Sequence, residues 1–336
     1  MATATPSTPH YQGKTIRLIV GWGAGSNSDI QARYVAKNLP KFIPGNPRFV
    51  ASPVPTRSSY FAQLNEMFDG PGDGLVMAYG VGGVTPEQLT FKDEVKFKAD
   101  EFQRVFSFDL IPSVLYAHKD SPYTSFDAMM GGSEEFTVAQ AAEGDARWTQ
   151  MQFLKETLNL PARILTGFDI STPGAFLTMD RHDADAVTAG FWYRLATDRP
   201  GWLTNGDVVP LVIMSDYSVA ISPNAEGPLP AGIKNVRDFL SPDELREFNA
   251  LQAGEGALQR TAIMSRNTPD DVRDLISDAI VTAFDDPEFR TGLEKLLGRE
   301  LSVVDGPTLD ALAESVDVEF LDSVYRKYSP TYESPF

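Results

Sequence analysis

The sequence predicts an α/β protein built as two lobes, and three observations lead there. Apolar, β-branched runs alternate with amphipathic segments at helical spacing, the pattern of helices laid over mostly parallel sheets. Partway along the chain that alternation starts afresh, which gives two similar α/β units. The 336 residues, 42% of them hydrophobic, are enough for two lobes of ordinary size.

The first unit opens with a β-rich strand over residues 15–20, a Gly/Ser/Asn loop over 21–28 and a helix over 29–39, where Ile30, Arg33, Tyr34, Ala36 and Lys37 recur at helical spacing. Pro44-Gly45-Asn46-Pro47 turns the chain into a second strand at 48–51. A helix over 60–68, the turn Pro71-Gly72-Asp73-Gly74 and a strand at 75–79 follow, and the series continues through 106–118. The second unit has a strand at 136–139, a helix over 148–158, a strand at 162–165, a helix over 173–179 and a strand at 185–189. A further strand at 208–214 leads through a Pro/Gly-rich stretch to 261–264. Helices close the chain: Asn267 or Thr268 before Pro269-Asp270-Asp271 supplies a cap, a first-turn proline and acids at the positive end, and Asp285-Asp286-Pro287 begins another. These helices are expected to return to the first lobe. Lobe one is then residues 1–108 plus 259–336, lobe two is 109–258, and two crossovers form a hinge.

Charge and composition exclude several classes. With 46 acidic against 29 basic residues the net charge is −17, which repels nucleic acid and anionic membrane surfaces. An anionic ligand would therefore depend on local donors: helix N-termini, loop amides or single arginines. The chain has no cysteine, so disulfides, thiolate nucleophiles and Cys-bound metals are out. The longest apolar stretches, 16–25 and 208–214, fall far short of the roughly 20 residues a bilayer needs, so no direct membrane insertion is expected. Residues 1–10 are a polar Thr/Ser/Pro segment, which suits a cytosolic protein or an exported one lacking its signal peptide.

Several stretches together resemble the receptors of tripartite tricarboxylate transporters, the Bug or TctC type of periplasmic solute-binding protein. Lys14-Thr15-Ile16-Arg17-Leu18-Ile19-Val20 with the loop Gly21-Trp22-Gly23-Ala24-Gly25-Ser26-Asn27-Ser28-Asp29 looks like the family's first strand, its Pro-Phe-x-Pro-Gly-Gly-x-x-Asp loop and first helix. Ile43-Pro44-Gly45-Asn46-Pro47, Ser121-Pro122-Tyr123 with Phe126-Asp127, and the tail from Asn267-Thr268-Pro269 to Asp286-Pro287-Glu288-Phe289 agree in order and spacing, so the resemblance covers nearly the whole chain. It implies a type II periplasmic-binding-protein fold and a monomer that shuts on a small carboxylate (a di- or tricarboxylate or an aromatic acid). It implies delivery to a membrane permease, a periplasmic location with the signal peptide absent from this sequence, no cofactor and no catalysis. Two family loops read differently here: Pro-Gly-Ala-Gly-Gly becomes Pro55-Thr56-Arg57-Ser58-Ser59, and Ser-Gly-x-Gly-Ser becomes Gln140-Ala141-Ala142-Glu143-Gly144-Asp145.

The candidate site follows from the residues and from that resemblance. The loop after the first strand aims backbone N–H groups and a helix dipole at one spot, which suits a carboxylate. By resemblance Gly23, Ala24, Gly25, Ser26 and Asn27 line it, and Trp22 and Asp29 are candidates beside them, although Trp22 could pack in the core, Gly25 could simply make a turn and Ser28 or Asp29 cap the helix. Opposite stand Gln140, Ala141, Gly144 and Arg147, the last either pairing with a ligand carboxylate or neutralising Glu143 or Asp145. Gly82 and Gly83 allow close backbone approach or are only a flexible turn, and Arg57 could supply a compensating charge or be solvated. Phe168 and Asp169 match a family aromatic followed by a polar residue, with Asp169 otherwise a cap for the next helix. Phe191, with Trp192 and Tyr193, offers an apolar wall or core packing.

Other readings are weaker. Gly21-Trp22-Gly23-Ala24-Gly25-Ser26 after a strand resembles a dinucleotide loop of an α/β enzyme. Its third glycine position holds Ser26, however, and the second strand ends at Ala51-Ser52-Pro53 with no acid for a ribose. No Walker loop, Gly-x-Ser-x-Gly elbow or His-Glu-x-x-His pair occurs. The cluster from Asp180 to Asp185 around His182 reads as a solvated bend, with no metal expected. A ligand-loaded partner of a membrane sensor would share this fold, and sequence does not separate it.

Overall fold

The computed structural model describes residues 9–54, 56–81, 88–89, 91–108, 113–143, 146–169, 172–188, 192–214, 232–255, 261–298, 300–314, 316–330 and 332–334. Two sheets organise the chain. The first contains β1 (Thr15–Val20), β2 (Arg48–Pro53), β3 (Val76–Val81), β4 (Gln103–Phe108), β10 (Thr261–Met264) and β11 (Val303–Asp305), in the order β11-β4-β10-β3-β1-β2. The second contains β5 (Val114–His118), β6 (Phe136–Ala139), β7 (Ala162–Leu165), β8 (Ala186–Val187) and β9 (Val208–Ile213), ordered β7-β6-β8-β5-β9. The described helices are α1 (Asn27–Asn38), α2 (Arg57–Phe68), α3 (Phe126–Met130), α4 (Ala146–Thr157), α5 (Thr172–Asp180), α6 (Leu195–Asp198), α7 (Pro200–Asn205), α8 (Pro242–Glu255), α9 (Asp270–Asp285), α10 (Pro287–Leu297), α11 (Gly306–Glu314) and α12 (Val318–Tyr328).

The expected parallel cores are present: β1 pairs in parallel with β2 and β3, and β6 with β7 and β8. Period-two alternation places Leu18 and Val20 in one core and Ile19 in the other, so helices cover both faces of the first sheet. The mixed pairings are a departure from the sequence reading. β10 lies antiparallel between β3 and β4, and β5 is antiparallel to both β8 and β9. The run expected through 106–118 is in fact two strands in different sheets, since β4 ends at Phe108 and β5 begins at Val114.

The C-terminal boundary also needs correction. β10, α9, α10 and α11 do pack on the first sheet, but α12 does not. Its buried stripe, Leu321, Val324, Tyr325 and Tyr328, joins Phe153 on α4 and Phe248 and Leu251 on α8 in a core of the second sheet. Lys327 Nζ lies 2.8 Å from the Glu247 carboxylate, and the Tyr328 hydroxyl donates to Glu247 Oε2 at 2.6 Å. The chain therefore crosses between lobes a third time, before α12. Spacing shows that such a helix has an apolar face without showing which lobe supplies the cover. Beyond it, Lys92 Nζ on the first lobe meets the Glu333 carboxylate at 2.9 Å.

The segment read as a bend behaves as one. His182 takes a left-handed φ of 55° after α5, and its ring meets that of His118 edge-on with centroids 4.1 Å apart. Among the described residues no group of three metal-ligating side chains forms. Burial, and then the neighbouring His182, hold His118 below the ordinary histidine value of 6.5, against the opposite pull of Asp120 and Asp207. The unfolded chain thus takes up this proton more readily than the folded one, so the contribution is whole above about pH 6.5 and fades as pH drops through the lower folded value. Denaturant unfolding of the native protein and His118→Asn at pH 7.5, 6 and 5 should show the native advantage shrinking on acidification. A gap between the two that does not vary with pH would refute this.

Candidate ligand cleft

At the carboxyl end of β1 the chain turns sharply into α1. Ser26, extended at ψ 161°, is the cap: its hydroxyl accepts from the Asp29 N–H at 3.2 Å. The cap is thus neither Ser28 nor Asp29, and the helix begins two residues earlier than its apolar spacing indicated. Asp29, 2% exposed, turns its carboxylate back on its own loop, accepting from the Gly25 N–H at 2.8 Å and from Arg33 Nε at 3.0 Å. A buried carboxylate so engaged braces the loop and is itself balanced by Arg33. Trp22 is half-buried and its indole N–H donates to Gly80 O at 3.0 Å, tying this loop to the end of β3. Gly23 and Ala24 are also in this turn, where the Ser26 N–H donates to Gly23 O at 3.2 Å. Asn27, 6% exposed, opens α1.

In the second lobe the carboxyl ends of β6 and β8 form the corresponding shelf. Gln140, fully buried, donates from Nε2 to Thr188 Oγ1 at 2.7 Å, while its Oε1 takes no donor among the described residues. The Ser113 hydroxyl donates to Thr188 O at 3.2 Å. Gly167 N–H donates to Ala141 O at 2.8 Å and Phe168 N–H to Gln140 O at 3.2 Å, which stitches the loops after β6 and β7 together. Arg147 is half-buried in the first turn of α4. Phe168 is partly buried against the core cluster that contains Trp192. The Asp169 carboxylate lies beside Gly174 in the first turn of α5, where an added Cβ would come within 2.3 Å of its Cγ. Arg57 opens α2 behind the cap Thr56, whose hydroxyl accepts from the Ser59 N–H at 3.3 Å. The Arg57 side chain, and Gly82, Gly83, Gly144 and Phe191, lie outside the described residues.

The two edges meet through a residue that sequence reasoning missed. Arg194, at the end of the 3-10 turn Trp192–Arg194, donates from Nη1 to Asn27 Oδ1 at 3.0 Å. This places the carboxyl end of β1 against the segment that follows β8, the crevice location at which open α/β sheets take ligands. The available signal was local: Arg194 and Asp198 stand four apart directly after the aromatic trio, a spacing that pairs charges on one helical face.

No protein family's sequence profile matches the chain, and no curated protein sequence does. Solved structures do. A TctC solute-binding protein from Polaromonas superposes with a TM-score of 0.65 at 15% identity, covering 94% of this chain and 99% of its own. MatC from Rhodopseudomonas palustris with bound malate gives 0.64 at 16% identity, covering 93% and 99%. A second R. palustris protein, with adipate, gives 0.65 at 14% identity, covering 94% and 97%. The chain therefore shares the two-lobed α/β fold of these structures.

Proposed function

We propose that this chain is an extracytoplasmic solute-binding protein of the tripartite tricarboxylate transporter type, which captures a small carboxylate between its lobes and delivers it to a membrane permease. The observation that carries the reading is the meeting of two strand-end loops across the cleft: the braced N-terminus of α1 on one side, and Arg194 with the Gln140–Thr188 shelf on the other. A helix start favours a negative group. Malate and adipate, bound in two structures of the same fold, indicate the size of such a guest. The protein binds and releases without catalysis, acts as a periplasmic monomer and uses no cofactor. A dinucleotide reading fares worse, because Ser26 stands at the third glycine position of such a loop and no acid follows the second strand at Ala51-Ser52-Pro53.

A thermal-shift series over dicarboxylates, tricarboxylates and aromatic acids tests this, with ATP and NAD as contrasts. A true ligand at about 100 times its Kd adds about 2.7 kcal/mol of stability and raises the melting temperature by several degrees. Ser26→Phe should abolish that rise while lowering the baseline by about 1 kcal/mol through loss of the cap. A response to nucleotides alone would overturn the proposal, and an undiminished rise in Ser26→Phe would remove the β1–α1 loop from the site.

A further inference from the structure

The contact between Arg194 and Asn27 is built on one side and replaceable on the other. Behind the guanidinium, Asp198 accepts from Nε at 3.0 Å and from Nη2 at 3.0 and 2.7 Å, a two-pronged pairing within the second lobe. That pairing fixes the plane of the cation and directs its Nη1 edge toward the first lobe, where it donates to Asn27 Oδ1 at 3.0 Å. Both ends are sheltered: the Arg194 side chain is 16% exposed and Asn27 is 6% exposed. Asn27 offers a neutral amide oxygen. A carboxylate at the same spot would make a shorter, charge-assisted bond of roughly twice the strength. It would also stand on the opposite edge of the guanidinium from Asp198, so the cation separates the two negative groups.

We propose that Arg194 is an interlobe clasp with two exchangeable acceptors. In the empty protein it holds Asn27 and draws the lobes together, and in the loaded protein it holds a carboxylate of the ligand instead. The ligand class it selects carries two carboxylates, one on the first turn of α1 and the other on Arg194. A monocarboxylate of equal length leaves Arg194 on Asn27 and gains nothing from it. The ligand half of this inference rests on the proposed function; the clasp in the empty protein does not.

Two measurements test it, and the first needs no ligand. Because the chain has no cysteine, the pair Leu177→Cys on α5 and Leu296→Cys on α10, exposed by 44% and 48%, can carry spin labels on opposite lobes without background. In ligand-free protein, Arg194→Gln should broaden the label distances and shift them outward. Asn27→Ala, which leaves the Arg194–Asp198 pair intact, should do the same. An unchanged distribution in both variants overturns the clasp. Calorimetric titration with succinate and butyrate then reads selectivity. Succinate should lose about 10–100-fold in affinity in Arg194→Gln and butyrate less than about 3-fold. Equal losses for both acids, or none, overturn the role in recognition. If native protein binds neither acid nor any other carboxylate, the proposed function and the ligand half fall together, and the label distances alone decide the clasp.

Discussion

Replacing Gly80 by valine should abolish ligand binding and cost roughly 2–5 kcal/mol of stability. Two causes add. Gly80 has a φ of +73°, a left-handed conformation that a β-branched side chain adopts only under strain. A Cβ there would also lie 2.6 Å from Ser28 Oγ and 2.7 Å from Ser28 Cβ, inside the first turn of α1. Something must shift, and α1 is what moves, because Gly80 is held in β3 and its carbonyl accepts from Trp22. The helix start would leave the position from which it faces the second lobe. Gly206→Ala provides the control for strain alone, since its φ is +66° with nothing within 4 Å of the added carbon. It should cost about 1 kcal/mol and leave binding intact, as checked by denaturant unfolding and titration of the same samples. If Gly80→Val bound as tightly as the native protein, α1 would not be the ligand platform.

Phe153→Ala should cost about 3–5 kcal/mol. The ring is fully buried on α4 and lies edge-on to Tyr328 of α12 at 5.0 Å and tilted against Phe248 of α8 at 5.7 Å. It is therefore the shared floor for both helices that cover this face of the second sheet, and its loss opens a cavity under each. Unfolding should become two-step, with the second lobe melting first. Tyr328→Phe keeps the ring and removes only the hydroxyl, with its bond to Glu247 and its contacts to Lys327 and Thr157, so it should cost about 1 kcal/mol. A single transition in Phe153→Ala at native midpoint would show that α12 contributes no cover.

Much of this architecture could be read in the residues, for a definite reason. Residues 15–38 switch from a two-residue to a helical period across one polar loop, and local pattern alone fixes such a unit. Asp286-Pro287 was equally legible: the Asp286 carboxylate accepts from the Glu288 and Phe289 N–H groups where α10 begins. At Pro269 the same logic found the helix but set its cap one or two residues early and with the wrong chemistry, because Pro269 itself is the cap position and α9 starts at Asp270 without a side-chain cap. Strand direction was hidden, since alternation does not say which neighbour a strand chooses, and β5 and β10 run against their surroundings. The destination of α12 was hidden for the same reason. In the cleft, the loop around Ser26 was legible because a strand end feeding a helix start is a local motif. Arg194 was not, because its partner Asn27 lies 167 positions away and the two meet only through the arrangement of the lobes.

The place of β10 between β3 and β4 sets the order in which this protein can be assembled during synthesis. A chain emerging N-terminus first makes β1 to β4 early, yet the strand that joins β3 to β4 is absent until residues 261–264 appear. The second sheet has all its strands once residue 213 has emerged, but it awaits the helix at 318–328 before that face is covered. The first sheet therefore waits for residues 261–305 and the second core for residues 318–328, so both are finished only late in synthesis, and these long-range pairings make that step slow.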